Sequence, residues 1–255
     1  AVEAAFKQGW CARPALLLWL EHQGGGWLPG ALRRDVDRAL AHDPSGALLR
    51  TTVLWAGDKI DRHWLDHLLR KHRAAITADA EAWALAGASF LTQRRHAQAI
   101  DWMKDWRQRA DVPAWALDNL AYCLRQLLRD QEAAEVTARS LSLEPNNPDA
   151  WVWQAVDAAR GRDHASLKQR LAQLEASELR PYYRGFRMAL QAYQEAVQAG
   201  RSGLALRTFA QLKTAAREDK VLRKVLKSLC HRLVAEHTPT WLKPWRWLQF
   251  QVGWP

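Results

Sequence analysis

The chain has 255 residues and a mass of 29.1 kDa, with 48% hydrophobic and 25% charged residues. That mix excludes a wholly disordered chain and supports a sizeable core. The longest apolar run, Ala15–Leu20, is far short of the roughly 20 residues that a membrane-spanning helix needs.

Trp occurs 15 times, against 9 for Tyr and Phe together, and 13 Gly and 10 Pro punctuate stretches rich in Ala, Leu, Arg and Gln. These are strong helix formers, and runs of β-branched residues are almost absent, so the expected fold class is all-α. Taken in order, helices are expected over Pro14–His22 and Pro29–His42, joined by Gly24-Gly25-Gly26. The next pair covers Ala47–Trp55 and Ile60–His72, separated by Gly57-Asp58. Helical patterns then run from Ala80 to about Arg180. A further pair follows over Pro181–Ala199 and Ser202–Ala216, and Val221–Glu236 reads as a capping helix. Pro239 and Pro244 argue against one long helix in the Trp-rich tail 239–255, whose rings are read as a cap over the last helix.

The middle of the chain repeats. Trp83 and Trp151 are 68 residues apart, twice 34, and Ala99 and Ala133 are 34 apart. Units registered at Ala80, Ala114 and Pro148 place Trp83, Gly87, Phe90 and Ala99 in the first. The second has Leu117, Leu120, Ala121, Ala133 and Pro145, and the third Trp151 and Ala155. The third departs at Gln154 and Leu167, and its Gly161-Arg162-Asp163 turn reads about a residue early. On these residues the chain resembles the tetratricopeptide repeat family. The resemblance implies a right-handed superhelical solenoid of antiparallel helix pairs, about six pairs plus a C-terminal cap. A repeat domain over 1–238, with best repeats 80–113, 114–147 and 148–180, is then followed by the tail. Small residues such as Gly87, Ala121 and Ala133 should sit where paired helices cross, and Trp83 and Leu117 should fill the space between units.

No catalytic, metal-binding or cofactor-binding set emerges. Gly24-Gly25-Gly26 matches neither dinucleotide-binding nor P-loop spacing. His63 and His67 share a helical face near Asp66 and His72, but Trp64 stands where a metalloprotease motif needs Glu. Asp101 with Asp105, and Glu132 with Glu135, read as surface charges. Cys11, Cys123 and Cys230 have neither zinc nor disulfide spacing, which suits a reducing compartment, and the expected location is the cytoplasm.

The resemblance further implies a concave groove that binds a peptide or partner protein. In the family's register the inward positions are Asp118, Asn119, Tyr122 and Gln126 in the middle unit. They are Ala84, Leu85, Ala88, Leu91 and Thr92 before it, and Asp149, Val152, Trp153, Val156 and Arg160 after it. Asn119 can both donate to and accept from a peptide backbone, and Trp153 is expected to offer a rigid anchoring face. Asp118 and Leu85 stand where a clamp for a terminal carboxylate would want Asn or cations.

Charge supplies an alternative. Net charge is +10, and residues 201–255 alone hold 11 Lys or Arg against 3 Asp or Glu. Lys220, Arg223, Lys224 and Lys227 fall at helical spacing as one positive stripe, an expected anion site for nucleic acid or anionic membrane. A third reading makes the chain an accessory domain of an enzyme.

Overall fold

The computed structural model describes residues 30–42, 46–58, 61–179, 181–215 and 219–252. The expected helix Pro14–His22 and the Gly24-Gly25-Gly26 turn lie outside them. Every regular element among the described residues is helical, with fourteen α-helices and one 3-10 turn. None is long and apolar enough to cross a membrane. The chain divides into two compact units, up to Leu128 and from Arg129. The boundary falls inside the repeat registered at 114–147.

The first unit contains α1 (Gly30–His42), α2 (Ala47–Asp58), α3 (Arg62–Lys71) and α4 (Arg73–Ala78), then α5 (Ala80–Thr92), α6 (His96–Trp102) and α7 (Ala114–Gln126). The second contains α8 (Asp130–Leu143), α9 (Pro148–Gly161), α10 (His164–Glu175), α11 (Pro181–Gln198), α12 (Gly203–Ala215) and α13 (Lys220–His237). A 3-10 turn (Thr240–Leu242) and α14 (Lys243–Val252) follow. One expected boundary is corrected. Gly57 belongs to α2 rather than to a linker, and a short further helix, α4, follows the one expected over Ile60–His72, which runs as α3 with His72 as its C-cap.

Helix starts carry the caps that physics demands. The carboxylates of Asp61, Asp79, Asp163 and Asp219 accept backbone N–H bonds from Trp64, Ala82, Ser166 and Leu222 at 2.9–3.0 Å. Asn147 caps α9 by accepting from Asp149 and Ala150, with Pro148 in the first turn, where no N–H is needed. Helices begin at Ala80, Ala114 and Pro148, and again at His96, Asp130 and His164, each series in steps of 34.

The residue two before each of the second series is left-handed. Arg94, Leu128 and Arg162 have φ of 57°, 64° and 64° and are also 34 apart. The third turn, read from the sequence as early, is therefore in step. A non-Gly residue in this conformation costs roughly 1–2 kcal/mol.

Within each unit each helix packs on the next, and α5 with α7, α9 with α11, α11 with α13 and α12 with α14 also pack. In the first, α5 packs on α6 and α7, and α6 packs on α7. The most extensive contact there is α2 with α5. A Cβ on Gly57 of α2 would come within 2.9 Å of the Ser89 Cα on α5. At that crossing the Ser89 hydroxyl donates to the Val53 carbonyl at 3.2 Å, and the buried Gln93 amide donates to the Ala56 carbonyl at 3.3 Å. A Cβ on Gly87 would lie 2.5 Å from the Met103 sulfur. In the second unit α9 packs on α8, α10, α11 and α13, and its Trp153 ring stands edge-on to Tyr183 and Phe186.

Two stability effects follow. Gly57→Ala forces backbone apart at the α2–α5 crossing, so despite better helix propensity it should destabilise by about 1–3 kcal/mol in denaturant titration. Leu128→Gly relieves the left-handed strain of a side chain that is 67% exposed. It should raise stability by about 0.5–1 kcal/mol, the strain relieved less the entropy that glycine loses.

Candidate functional site

Repeat spacing puts three side chains at one register position. Leu54 on α2, Ala88 on α5 and Tyr122 on α7 are each 34 residues apart, and α5 packs on both other helices. Leu54 is 43% exposed, while Ala88 and Tyr122 are half-buried. Asn119 and Gln126 flank Tyr122 and are also half-buried. The Gln126 amide donates to the Tyr122 hydroxyl at 2.7 Å, and the Tyr122 ring meets His96 edge-on at 6.0 Å. Partly open apolar groups thus share one register position on three helices, with amides beside the last of them, a mixture that an extended peptide backbone and its side chains can use. Leu54 was not among the residues expected from the sequence. Continuing the 34-residue step one unit before Ala88 would have reached it.

The expected groove positions on α9 are corrected. Asp149, Val152, Trp153 and Val156 are 0–4% exposed, because α11 and α13 both cover that helix. Trp153 is core and presents no free face. Arg160 remains at the helix end, 3.5 Å from the carboxylate of Asp130.

The same carboxylate takes Lys224 at 2.6 Å. Lys224 is thus committed within the fold, and the expected stripe of four cations reduces to exposed Lys220, Arg223 and Lys227. The tail also departs from expectation. Trp247 lies 3.9 Å from His231 and 5.6 Å from Phe250, as a cap would, but Trp241 and Trp245 are 75% and 61% exposed.

The described cysteines, Cys123 and Cys230, are buried thiols, and burial pushes both up to about 12, far from a nucleophilic thiolate. No group of three or more His, Cys, Asp or Glu among the described residues could hold a metal ion.

His67 and His72 instead converge on Asp37 of α1. His67 Nε2 lies 2.7 Å and Lys71 Nζ 3.2 Å from Asp37 Oδ2, and His72 Nε2 lies 3.5 Å from Oδ1. Burial alone would raise the Asp37 carboxyl. Hydrogen bonds from His67 and Lys71 outweigh it and hold the group below its ordinary value. Burial holds His72 below its ordinary value, more strongly than Asp37 raises it.

Both shifts favour the deprotonated form in the folded state. Stability from His72 is complete above its ordinary pKa of about 6.5 and is lost as pH falls through its lower folded value. The Asp37 contribution is lost only in stronger acid, below the ordinary carboxylate value of about 3.9. The melting temperature should therefore fall on acidification below about pH 6.5, and His72→Gln should flatten that first decline.

No protein-family model matches the sequence, and neither a curated protein nor a solved structure matches it.

Proposed function

We propose that this chain is a scaffold of tetratricopeptide-like helix pairs that works in the cytoplasm by binding a protein segment rather than by catalysis. The observation that carries the reading is the 34-residue step shared by two series of helix starts and by Arg94, Leu128 and Arg162. Packing of α5 on α6 and α7 in the first unit, and of α9 on α10 and α11 in the second, supports repeated helix pairs within each unit.

The binding face is the strip of Leu54, Ala88 and Tyr122 with the amides of Asn119 and Gln126. Leu54 contacts an apolar side chain of an extended peptide, and the amides meet its backbone. Neither amide bears a charge, so this end of the strip suits backbone recognition better than a charged terminus.

Affinity capture from the native cell, with the intact chain and with Leu54→Asp/Asn119→Ala, checks this. The double change should weaken a captured partner by at least about ten-fold, or 1.4 kcal/mol. Both side chains lie outside the core, so the melting temperature should hold. A folded double variant with parental affinity would move the site off this strip.

A further inference from the structure

The turn before α12 and the turn after α13 meet at a cavity of about 450 Å³. Its charged lining is cationic. Arg201 and Arg246 carry that charge, His237 and the hydroxyl residues Ser202 and Thr238 add polar groups to the wall, and no described lining residue is acidic. Ser202 and Thr238 are buried and hydrogen-bonded to each other, which ties the two turns together. A Cβ on Gly203 would lie 3.0 Å from Arg246 Nη1, so glycine leaves the guanidinium room against the turn. The nearest carboxylate in sequence, Glu236, is engaged by Arg162 at 2.6 Å and lies 4.0 Å from His237. The start of α12 at Gly203 adds partial positive charge to the same wall.

Around this cavity the surface is apolar. Leu204, part of the lining, is 53% exposed. Trp241, Trp245 and Leu248 are 75%, 61% and 42% exposed and recur at steps of four and three. Leu242 and Arg246, which line the cavity, lie one residue further round the same turns. The other face of α14 is occupied. Phe250 is buried, Trp247 meets His231, and Lys213 of α12 donates to the carbonyls of Phe250 and Gln251 at 3.4 and 3.0 Å. α14 is therefore fixed to α12 and α13, while Trp241 of the 3-10 turn and Trp245 and Leu248 of α14 are exposed. Residues 237–252 contain Lys243 and Arg246 and no Asp or Glu.

We infer that this end of the second unit docks on an anionic phospholipid surface, with a headgroup phosphate in the Arg201–His237–Arg246 cavity and Trp241, Trp245 and Leu248 in the interface. The occupant follows from complementarity. Indole rings prefer the headgroup level, where the ring body is shielded and the N–H stays wet, and cations beside them attract anionic lipid. Exposed indoles beside a cavity whose described lining holds Arg201 and Arg246 and no acidic residue match both halves of an anionic lipid. The inference is independent of the peptide strip on the first unit.

The experiment is co-sedimentation of the full chain with phosphatidylcholine vesicles, with and without phosphatidate. Binding should require phosphatidate. Arg201→Gln/Arg246→Gln and Trp241→Ser/Trp245→Ser should each lower the partition coefficient by at least about ten-fold, since two cations or two interfacial rings are lost. Melting temperature is measured alongside. The Trp pair is exposed, so that variant reports on binding even if the Arg pair perturbs folding. Lys220→Gln/Arg223→Gln/Lys227→Gln should stay within about two-fold of the parent, because those cations lie outside the cavity. The inference is overturned by failure to sediment with phosphatidate, or by equal loss in the α13 variant, which would mean diffuse charge. Binding of inorganic phosphate or single-stranded RNA without vesicle binding would overturn it as well.

Discussion

Arg94, Leu128 and Arg162 each hold a backbone conformation that L-residues avoid, and each stands just before the cap of a helix. Their spacing sets where α6, α8 and α10 begin, and with that which residues of the preceding helix remain on its packed face. No glycine occupies these positions, so the strain of three turns is offset by what the turns allow. Arg94 ends α5 while its Phe90 carbonyl accepts the Arg95 N–H, and Arg162 ends α9 while its Ala158 carbonyl accepts the Asp163 N–H. The unmatched carbonyls of a helix end are thus satisfied without lengthening the loop.

Close approach of backbones is the second constraint. Where α2 crosses α5, Gly57 faces Ser89, and hydrogen bonds from Ser89 and Gln93 satisfy carbonyls of the neighbouring helix. Two buried polar residues are tolerated because both are paired across the crossing. Gly87 serves α5 and the Met103 that follows α6 in the same way, with an adaptable thioether filling the space that a Cβ would take.

The two units use equivalent helices differently. On α7 three of the four inward register positions stay partly open, at Asn119, Tyr122 and Gln126, while Asp118 is buried. On α9 the same register is closed, because α11 and α13 both lie against it and Trp153 fills the space between α9 and α11. One sequence pattern thus yields an accessible amide-rich strip in one place and a sealed aromatic core in another. Basicity is divided in the same manner. Lys224 and Arg160 share Asp130, whereas Arg201 and Arg246 lie in the wall of the cavity between two turns.

Composition and local chemistry determined the helical class, the positions of α5, α7 and α9, and the 34-residue step. Each depends on propensity, capping and spacing within a few turns, as Asp79, Asn147 and Pro148 show. The sequence also marked Gly87 as a close approach. It did not distinguish Trp153 from Trp245, since burial of an indole depends on which helices cover it, and α11 and α13 come from distant segments. It placed Gly57 in a linker, because a glycine that admits a neighbouring backbone looks the same in sequence as one that ends a helix. It read Lys220, Arg223, Lys224 and Lys227 as one stripe, because the partner of Lys224 is 94 residues away. The cavity of Arg201, His237 and Arg246 is formed by two turns and a terminal helix with no shared motif, so only the tertiary packing of α12, α13 and α14 brought those side chains together.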